Sequence, residues 1–336
     1  MSALSPRIVV VGSVNADLVV RVARRPAPGE TVMGDSIEIL PGGKGANQAL
    51  AAAVVASRYD EDLPVAMVGA VGDDPNSTIA LRELAGAGVD VSAVCRLPGV
   101  STGVASITVG RDGDNSIVVV PGANGLVDAS FVRRHAHLIS GAQVVVAQME
   151  VPMDAVETAA RLASGRFILN LAPVRPAPAW LFRRADPLVV NEHEAAAALS
   201  ILGREQRDGS SVAGRPGQIA EADPEARCAI SLVEMGVPSV VVTLGARGCL
   251  VARDGDQPVR IPALTVPVVD TTGAGDAFVG ALAARLAQGD SLTDACVLAT
   301  RVSAYSVQHE GTQPSYPRPG DVLPVPLSPW RPIPPS

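Results

Sequence analysis

Short, uninterrupted apolar runs alternate with longer Ala-rich stretches along most of the chain. The first run, Ile8 to Val11, ends at Gly12, and the pattern recurs at 65–69, 143–148, 167–170, 187–190 and 239–245. A strand buried on both faces reads this way, because neither face needs a polar residue. Between the runs, 46–58, 77–88, 153–163, 191–202 and a segment at about 225–236 predict helices. This alternation predicts an α/β fold with a central, mostly parallel sheet flanked by helices.

Two regions break the rhythm. Segments 18–22 and 31–40, joined by PAPG, carry partial apolar–polar alternation, as do 103–110 and 115–120 around RDGD. These predict hairpin strands outside the βα series. Two such insertions, spanning 17–41 and 97–121, predict one small β-sheet acting as a lid on a main unit of 7–315. The polar, Gly-rich stretch 203–224 predicts a surface loop. From Pro314, and most clearly over 316–336, a Pro-rich tail without helical period is expected to pack along the surface or fray.

Composition narrows the classes. Of 336 residues, 47% are hydrophobic and 18% charged, which suits a folded globular protein, and aromatics at 3% leave the core to Ala and Val. Net charge is -7 with no clustered basic face, so nucleic acid is not an expected partner. Cys95, Cys228, Cys249 and Cys296 are irregularly spaced in apolar surroundings and are expected to be buried thiols. The N-terminal apolar run is too short for a signal peptide or a membrane span, so a cytoplasmic protein without a membrane partner is expected.

Candidate chemistry lies just past the predicted strands, where doubly wound sheets bind ligands. Asn15, Asp17, Gln148, Glu150, Asn170, Asn191, Glu194 and Thr243 all fall there. Asp17 or Asn191 could instead cap a turn or helix, and Glu150 could be a helix-start carboxylate. GGKGANQA at 42–49 puts Gly43, Lys44 and Asn47 at a helix start, where N–H groups attract oxygen-rich ligands. It is neither a Walker A motif nor GxGxxG. The sharper signal is VVDTTGAGDAFVGALAA at 268–284. N–H groups from Gly273 through Ala274 and Gly275 to Asp276 would converge at a helix N-terminus and stabilise charge on a transferring phosphoryl group, with Asp276 as a base beside them.

Three motifs in order, GSVNADLVVRVARRPAPGET at 12–31, GGKGAN at 42–47 and DTTGAGD at 270–276, resemble the PfkB carbohydrate kinases, and among them the ribokinase branch. STGVA at 101–105, NEHE at 191–194 and TLGARG at 243–248 are similar to runs in the same family. The resemblance implies a ribokinase-like fold and ATP-dependent phosphorylation of the primary 5-hydroxyl of D-ribose. It implies Asp276 as general base, with Gly273, Ala274 and Gly275 as the anion hole. Asn15, Asp17, Gly43, Lys44, Asn47 and Glu150 would hold the sugar. Asn191, Thr243, Gly245, Gly248, Gly275 and Thr300 would border the nucleotide. Asn191 and Glu194 would organise Mg²⁺ through water. Asp270, Thr272, Ser306, Gly311 and Ser315 would bind K⁺, and a homodimer would form through the lid.

The chain departs from the family at Val190, often proline there, at Thr300, in the length of 203–224, and in the tail that replaces a final helix. Phosphorylation of 2-deoxyribose, fructose or a nucleoside is the alternative reading. A nicotinamide-dependent oxidoreductase is disfavoured by GSVNAD where GxGxxG would stand. A non-catalytic sugar-binding protein would have no need of Asp276 beside its glycines.

Overall fold

The computed structural model describes residues 7–59, 63–111, 115–208 and 223–326, the side chains of 204–208 excepted. The strands are β1 (Ile8–Val11), β2 (Asn15–Val22), β3 (Gly34–Gly42), β4 (Val65–Gly72), β5 (Asp90–Leu97), β6 (Gly103–Gly110) and β7 (Asn115–Val120). They continue with β8 (Val144–Gln148), β9 (Arg166–Asn170), β10 (Leu188–Asn191), β11 (Ser239–Thr243), β12 (Cys249–Arg253) and β13 (Val259–Ile261). The helices are α1 (Lys44–Tyr59), α2 (Pro75–Gly86), α3 (Ala129–Arg134), α4 (Ala136–Gly141) and α5 (Met153–Leu162). They end with α6 (Ala179–Arg184), α7 (Glu192–Asp208), α8 (Pro224–Glu234), α9 (Ala274–Gln288) and α10 (Leu292–Ser306).

Nine strands form the main sheet in the order β13-β12-β11-β10-β9-β8-β1-β4-β5. Pairing is parallel from β11 through to β5, and β12 and β13 add antiparallel at one edge. Strand side chains alternate between two cores. Ile8 and Val10 pack with α1, α9 and α10, whereas Val9 and Val11 pack with α3, α5 and α6 on the other face. That is why these strands tolerate no polar residue until their ends. All four phenylalanines are buried, and small aliphatics fill the rest.

The expected lid is a four-stranded sheet in the order β3-β2-β6-β7, with β2 and β6 parallel at its centre. It grows directly out of the main unit: β2 begins four residues after β1 ends, and β3 runs through Gly42 into α1. Helices α1 and α9 cross at Gly280, where a Cβ would collide with the Gln48 carbonyl and the Ala51 side chain. The absence of a side chain there lets the two helices that carry site residues touch through their backbones.

Two sequence expectations change. Of the expected loop 203–224, residues 203–208 continue α7 and Asp223 and Pro224 open α8, while 209–222 lie outside the described residues. The cysteines are unpaired, but only Cys249 and Cys296 are buried, and Cys95 and Cys228 are half-buried. As far as 326 the tail packs along the surface, the first of its two expected outcomes. Arg58 Nη1 donates to the Arg318 carbonyl at 2.7 Å, Tyr305 Oη to Asp321 Oδ2 at 2.8 Å, and Arg301 Nε to the Pro324 carbonyl at 2.8 Å. Residues 327–336 lie outside the described residues. No helix among the described residues is long and apolar enough to cross a membrane.

Candidate active site

The glycine-rich turn at 270–276 opens α9. Gly273 is its N-cap with φ +75, a left-handed conformation in which any side chain would be strained and would here overlap Thr312. Ala274 N–H turns back to the Thr271 carbonyl at 3.3 Å, and Ala277 N–H takes the Gly273 carbonyl at 2.8 Å. The N–H groups of Gly273, Gly275 and Asp276 are left without a hydrogen-bond acceptor among the described residues. The unspent donors of the anion hole are therefore these three, and Ala274 contributes by shaping the turn. With the helix dipole behind them, they are suited to stabilise an anion. Tyr316 Oη donates to the Gly273 carbonyl at 3.2 Å from the tail and braces the turn.

Asp276 follows in the first turn, almost fully buried. Its Oδ2 accepts from Asn47 Nδ2 at 2.9 Å and its Oδ1 from Gln48 Nε2 at 2.8 Å. Gln313 Nε2 donates to Asn47 Oδ1 at 2.9 Å, and Gln148 Nε2 to Gln48 Oε1 at 2.7 Å. The base expected from DTTGAGD is thus joined to the residue expected from GGKGAN across 229 positions of sequence. Gln48 and Gln313 were not singled out by sequence. Their only sign was an amide inside an otherwise small and apolar helix in one case and a polar loop residue in the other.

A second group of carboxylates faces Asp276. Glu150 Oε2 accepts from Ser13 Oγ at 2.6 Å and from Lys44 N–H at 3.0 Å, so it caps the start of α1 rather than a helix of its own. Asn15 Oδ1 accepts from Asn124 Nδ2 at 2.8 Å, which also closes the turn at Val14. Asp17 is pushed up to about 7 by burial and by the nearby charges of Glu150 and Asp276. Its Oδ1 is buried without a hydrogen-bond partner. The Lys44 ammonium is raised chiefly by Asp276, against the cost of its burial, with Glu150, Glu194 and Asp17 adding to the effect. One ammonium thus stands among four carboxylates and offsets part of their mutual repulsion.

A cleft of about 470 Å³ adjoins the anion hole. Thr243, Gly245, Gly248, Gly275 and Thr300 line it together with apolar groups such as Val266 and Phe278. Thr300 Oγ1 donates to the Cys296 carbonyl at 2.9 Å, so its proton is already spent. Asn191 is not among these lining residues. Its Oδ1 accepts from Glu194 N–H, and Glu194 Oε2 from Asn191 N–H, both at 2.8 Å, which is a reciprocal capping box at the start of α7. The capping reading therefore holds for Asn191, while Glu194 keeps its second oxygen. Burial raises Glu194, and the bond from Asn191 N–H and then Lys44 partly offset this. Its second oxygen, near Lys44 and Asp276, suits a hydrated Mg²⁺, a hard cation that keeps several waters.

Behind the hole, Asp270 Oδ1 accepts from Thr272 N–H at 2.9 Å and Oδ2 from Gly311 N–H at 3.0 Å. Burial works to raise Asp270, but these bonds outweigh it and hold the carboxyl below its ordinary range. Ser306 and Ser315 send their hydroxyl protons to the Ser303 and Thr312 carbonyls, which leaves lone pairs for a cation. The donor set is oxygen alone, as a hard monovalent cation requires.

A doubly wound sheet thus carries a helix N-terminus with unspent N–H groups and a buried carboxylate beside it, an arrangement suited to an anionic ligand. The model of the pfkB family carbohydrate kinases matches residues 5–319. The chain is 37% identical over 316 residues to the ribokinase of Schizosaccharomyces pombe, covering 92% of this chain and 94% of that one. It is 36% identical over 314 residues to the deoxyribokinase of Salmonella typhi, covering 92% and 95%. The structure of Arabidopsis thaliana ribokinase complexed with ribose and ATP superimposes with a TM-score of 0.80 at 29% identity, covering 94% and 96%. The protein belongs to the PfkB family of carbohydrate kinases.

Proposed function

We propose that the protein transfers the γ-phosphoryl group of ATP to the primary 5-hydroxyl of D-ribose, giving D-ribose 5-phosphate and ADP. The observation that carries this reading is the pairing of Asp276 with the free N–H groups of Gly273, Gly275 and its own backbone. Asp276 orients the attacking hydroxyl and takes its proton late, since a carboxylate is a weak base toward an alcohol. The amides and the α9 dipole receive the charge that builds on the transferring group.

Asp17, Asn15, Asn47, Glu150 and Gly43 hold the sugar hydroxyls. The unpartnered Asp17 Oδ1 supports this, because a buried acceptor left unsatisfied costs about 1–3 kcal/mol that a hydroxyl donor would recover. Lys44 keeps the carboxylate cluster from repelling the phosphates, and the cleft at Thr243, Gly245, Gly248 and Thr300 takes the nucleotide. Mg²⁺, held through water near Glu194 and Asn191, would neutralise phosphate charge, and K⁺ at Asp270, Thr272, Ser306, Gly311 and Ser315 would order the hole. The lid excludes water so that ATP is not hydrolysed. Its exposed apolar face makes a homodimer, and ATP as donor implies a cytoplasmic setting.

Phosphorylation of 2-deoxyribose is the second reading, favoured by the near-equal identity to a deoxyribokinase. ADP release measured over ribose, 2-deoxyribose, fructose and adenosine, with and without K⁺, tests both. The expected result is a kcat/KM for ribose at least ~10-fold above every other acceptor, well within what a lost hydroxyl contact produces. Preference for 2-deoxyribose would replace the first reading by the second, and turnover of none would remove both.

A further inference from the structure

Asp276 is fixed by a side chain that the reading above leaves unused. Gln48, on α1, is 0% exposed. Its Nε2 donates both to Asp276 Oδ1 at 2.8 Å and to Asn170 Oδ1 at 3.0 Å, while its Oε1 accepts from Gln148 Nε2 at 2.7 Å. Both N–H bonds of the carboxamide are therefore spent inside the protein, and no exposed surface remains for a sugar or nucleotide to meet. Whatever Gln48 does for the reaction passes through Asp276. The backbone carbonyl of Gln48 lies against Gly280, where α1 and α9 touch. The amides at the ends of β8 and β9, Gln148 and Asn170, hold the Gln48 carboxamide turned toward Asp276.

We propose that Gln48 is a positioning residue that locks the rotation of the Asp276 carboxylate, so that its remaining lone pairs face the substrate hydroxyl. The inference rests on Asp276 being the proton acceptor. Oδ1 is tied to Gln48 and Oδ2 to Asn47, so the carboxylate plane is set by two neighbouring side chains of α1 rather than by its own torsion. An amide suits this task. It donates to an ionised carboxylate without adding a positive charge that would weaken it as a base, and an apolar neighbour would leave the carboxylate unsatisfied. The charged or titratable groups facing Asp276 are Lys44 from α1, Asp17 from β2, Glu194 from α7 and the Tyr316 hydroxyl from the tail. Gln48 adds direction where those groups add charge.

Gln48→Met keeps the volume and removes the donors, and Gln48→Glu keeps the shape and replaces the donor by an acid. Each is assayed as the full-length enzyme with the preferred sugar, ATP, Mg²⁺ and K⁺, beside Asp276→Asn. For Gln48→Met, kcat is expected to fall about 10- to 100-fold, as a mis-set reacting group does. KM for sugar and ATP should stay within about 3-fold, because the lost interaction is one realised in the transition state. Gln48→Glu, which sets a second carboxylate against Asp276, should lower kcat further with KM still little changed.

Parental kcat in Gln48→Met would overturn the proposal. So would failure of both variants to fold, or a loss of melting temperature with kcat unchanged or with kcat and KM damaged in step, since each assigns Gln48 to packing alone. Near-parental turnover of Asp276→Asn would instead remove the underlying reading of the base, whatever the Gln48 variants do. An inactive Asp276→Asn beside a parental Gln48→Met removes only the positioning role.

Discussion

Asn47 Nδ2 lies 2.9 Å from Asp276 Oδ2, and Gln313 holds the other end of the Asn47 amide at the same distance. The nitrogen of Asn47 is thereby turned toward the carboxylate, leaving its second N–H for a ligand. Asp276→Asn removes the proton acceptor but keeps a carbonyl that can still take the Asn47 bond. Turnover is expected to fall roughly 10²- to 10⁴-fold, the range of general-base contributions. Sugar affinity should change little. Coupled ADP release and calorimetric sugar binding separate the two effects, and loss of binding in step with turnover would argue for a structural role instead.

Asp17 provides a pH signature. Its ordinary value of 3.8 is pushed up to about 7, first by burial and then by Glu150 and Asp276. Between those values the folded protein keeps a proton that the unfolded chain has already released. The folded state then binds more protons, so this group's contribution to stability falls as pH rises from about 4 to 7. Asp17→Asn should flatten the decline of melting temperature between about pH 4 and 7. A sugar hydroxyl donates best to the ionised carboxylate, so parental affinity should grow across the same interval with release of a proton. Titration calorimetry in two buffers of different ionisation enthalpy reads that proton, and equal heats in both would contradict the assignment.

Asp270 joins the 270–272 turn to the loop at Gly311 through its two oxygens. In Asp270→Asn the second oxygen becomes an amide that faces a donor, so the link opens and the cation set loses its only charged ligand. The expected outcome is turnover that no longer responds to K⁺ and sits at the level of the parent in tetramethylammonium salt. A titration of K⁺ at constant ionic strength measures it. An unchanged K⁺ response would move the cation elsewhere.

How much of this was legible in the sequence depended on the range of the interaction. Strands β1, β4, β8, β9, β10 and β11 announced themselves because both their faces are buried, so the apolar run is continuous. Strand β5 was missed because Asp90, Ser92 and Arg96 interrupt it, β12 because it is short and ends in Arg253, and β13 because it is a three-residue edge strand carrying Arg260. GREQRD reads as a loop from its polarity, yet it extends α7. In the site, motif glycines and carboxylates could be placed because their spacing is local. Gln48 and Gln313 could not, since each acquires its partner across more than 200 residues.

Gly280 lets α1 and α9 meet, and those helices carry Asn47, Gln48 and Asp276. Gly280→Ala must push them apart or bend one. Overpacking of this kind costs about 1–3 kcal/mol, offset in small part by the better helix propensity of alanine. The variant is expected to melt several degrees lower and to lose turnover more than sugar affinity. Thermal unfolding and steady-state kinetics on one preparation test both halves. A variant as stable and active as the parent would show that the crossing has slack.

The lid exposes apolar side chains that a free surface has no use for. Ile39 pairs with Leu18, Leu18 with Ser106 and Ser106 with Val118, so Ile39 and Val118 share one face, and they are 43% and 64% exposed. Ile37, at 62%, lies on the same face. A contiguous apolar face of this kind marks an interaction surface. A second copy of the lid supplies a matching face by two-fold symmetry, which is the economical way to cover it. Ile39→Asp with Val118→Asp should convert a dimer to a monomer in light scattering at micromolar concentration. Because β2 carries Asp17 on the opposite face of the same sheet, the monomer should also show a raised KM for sugar while its KM for ATP is kept. A parent that is already monomeric, or a double variant that remains dimeric, would assign the apolar face another role.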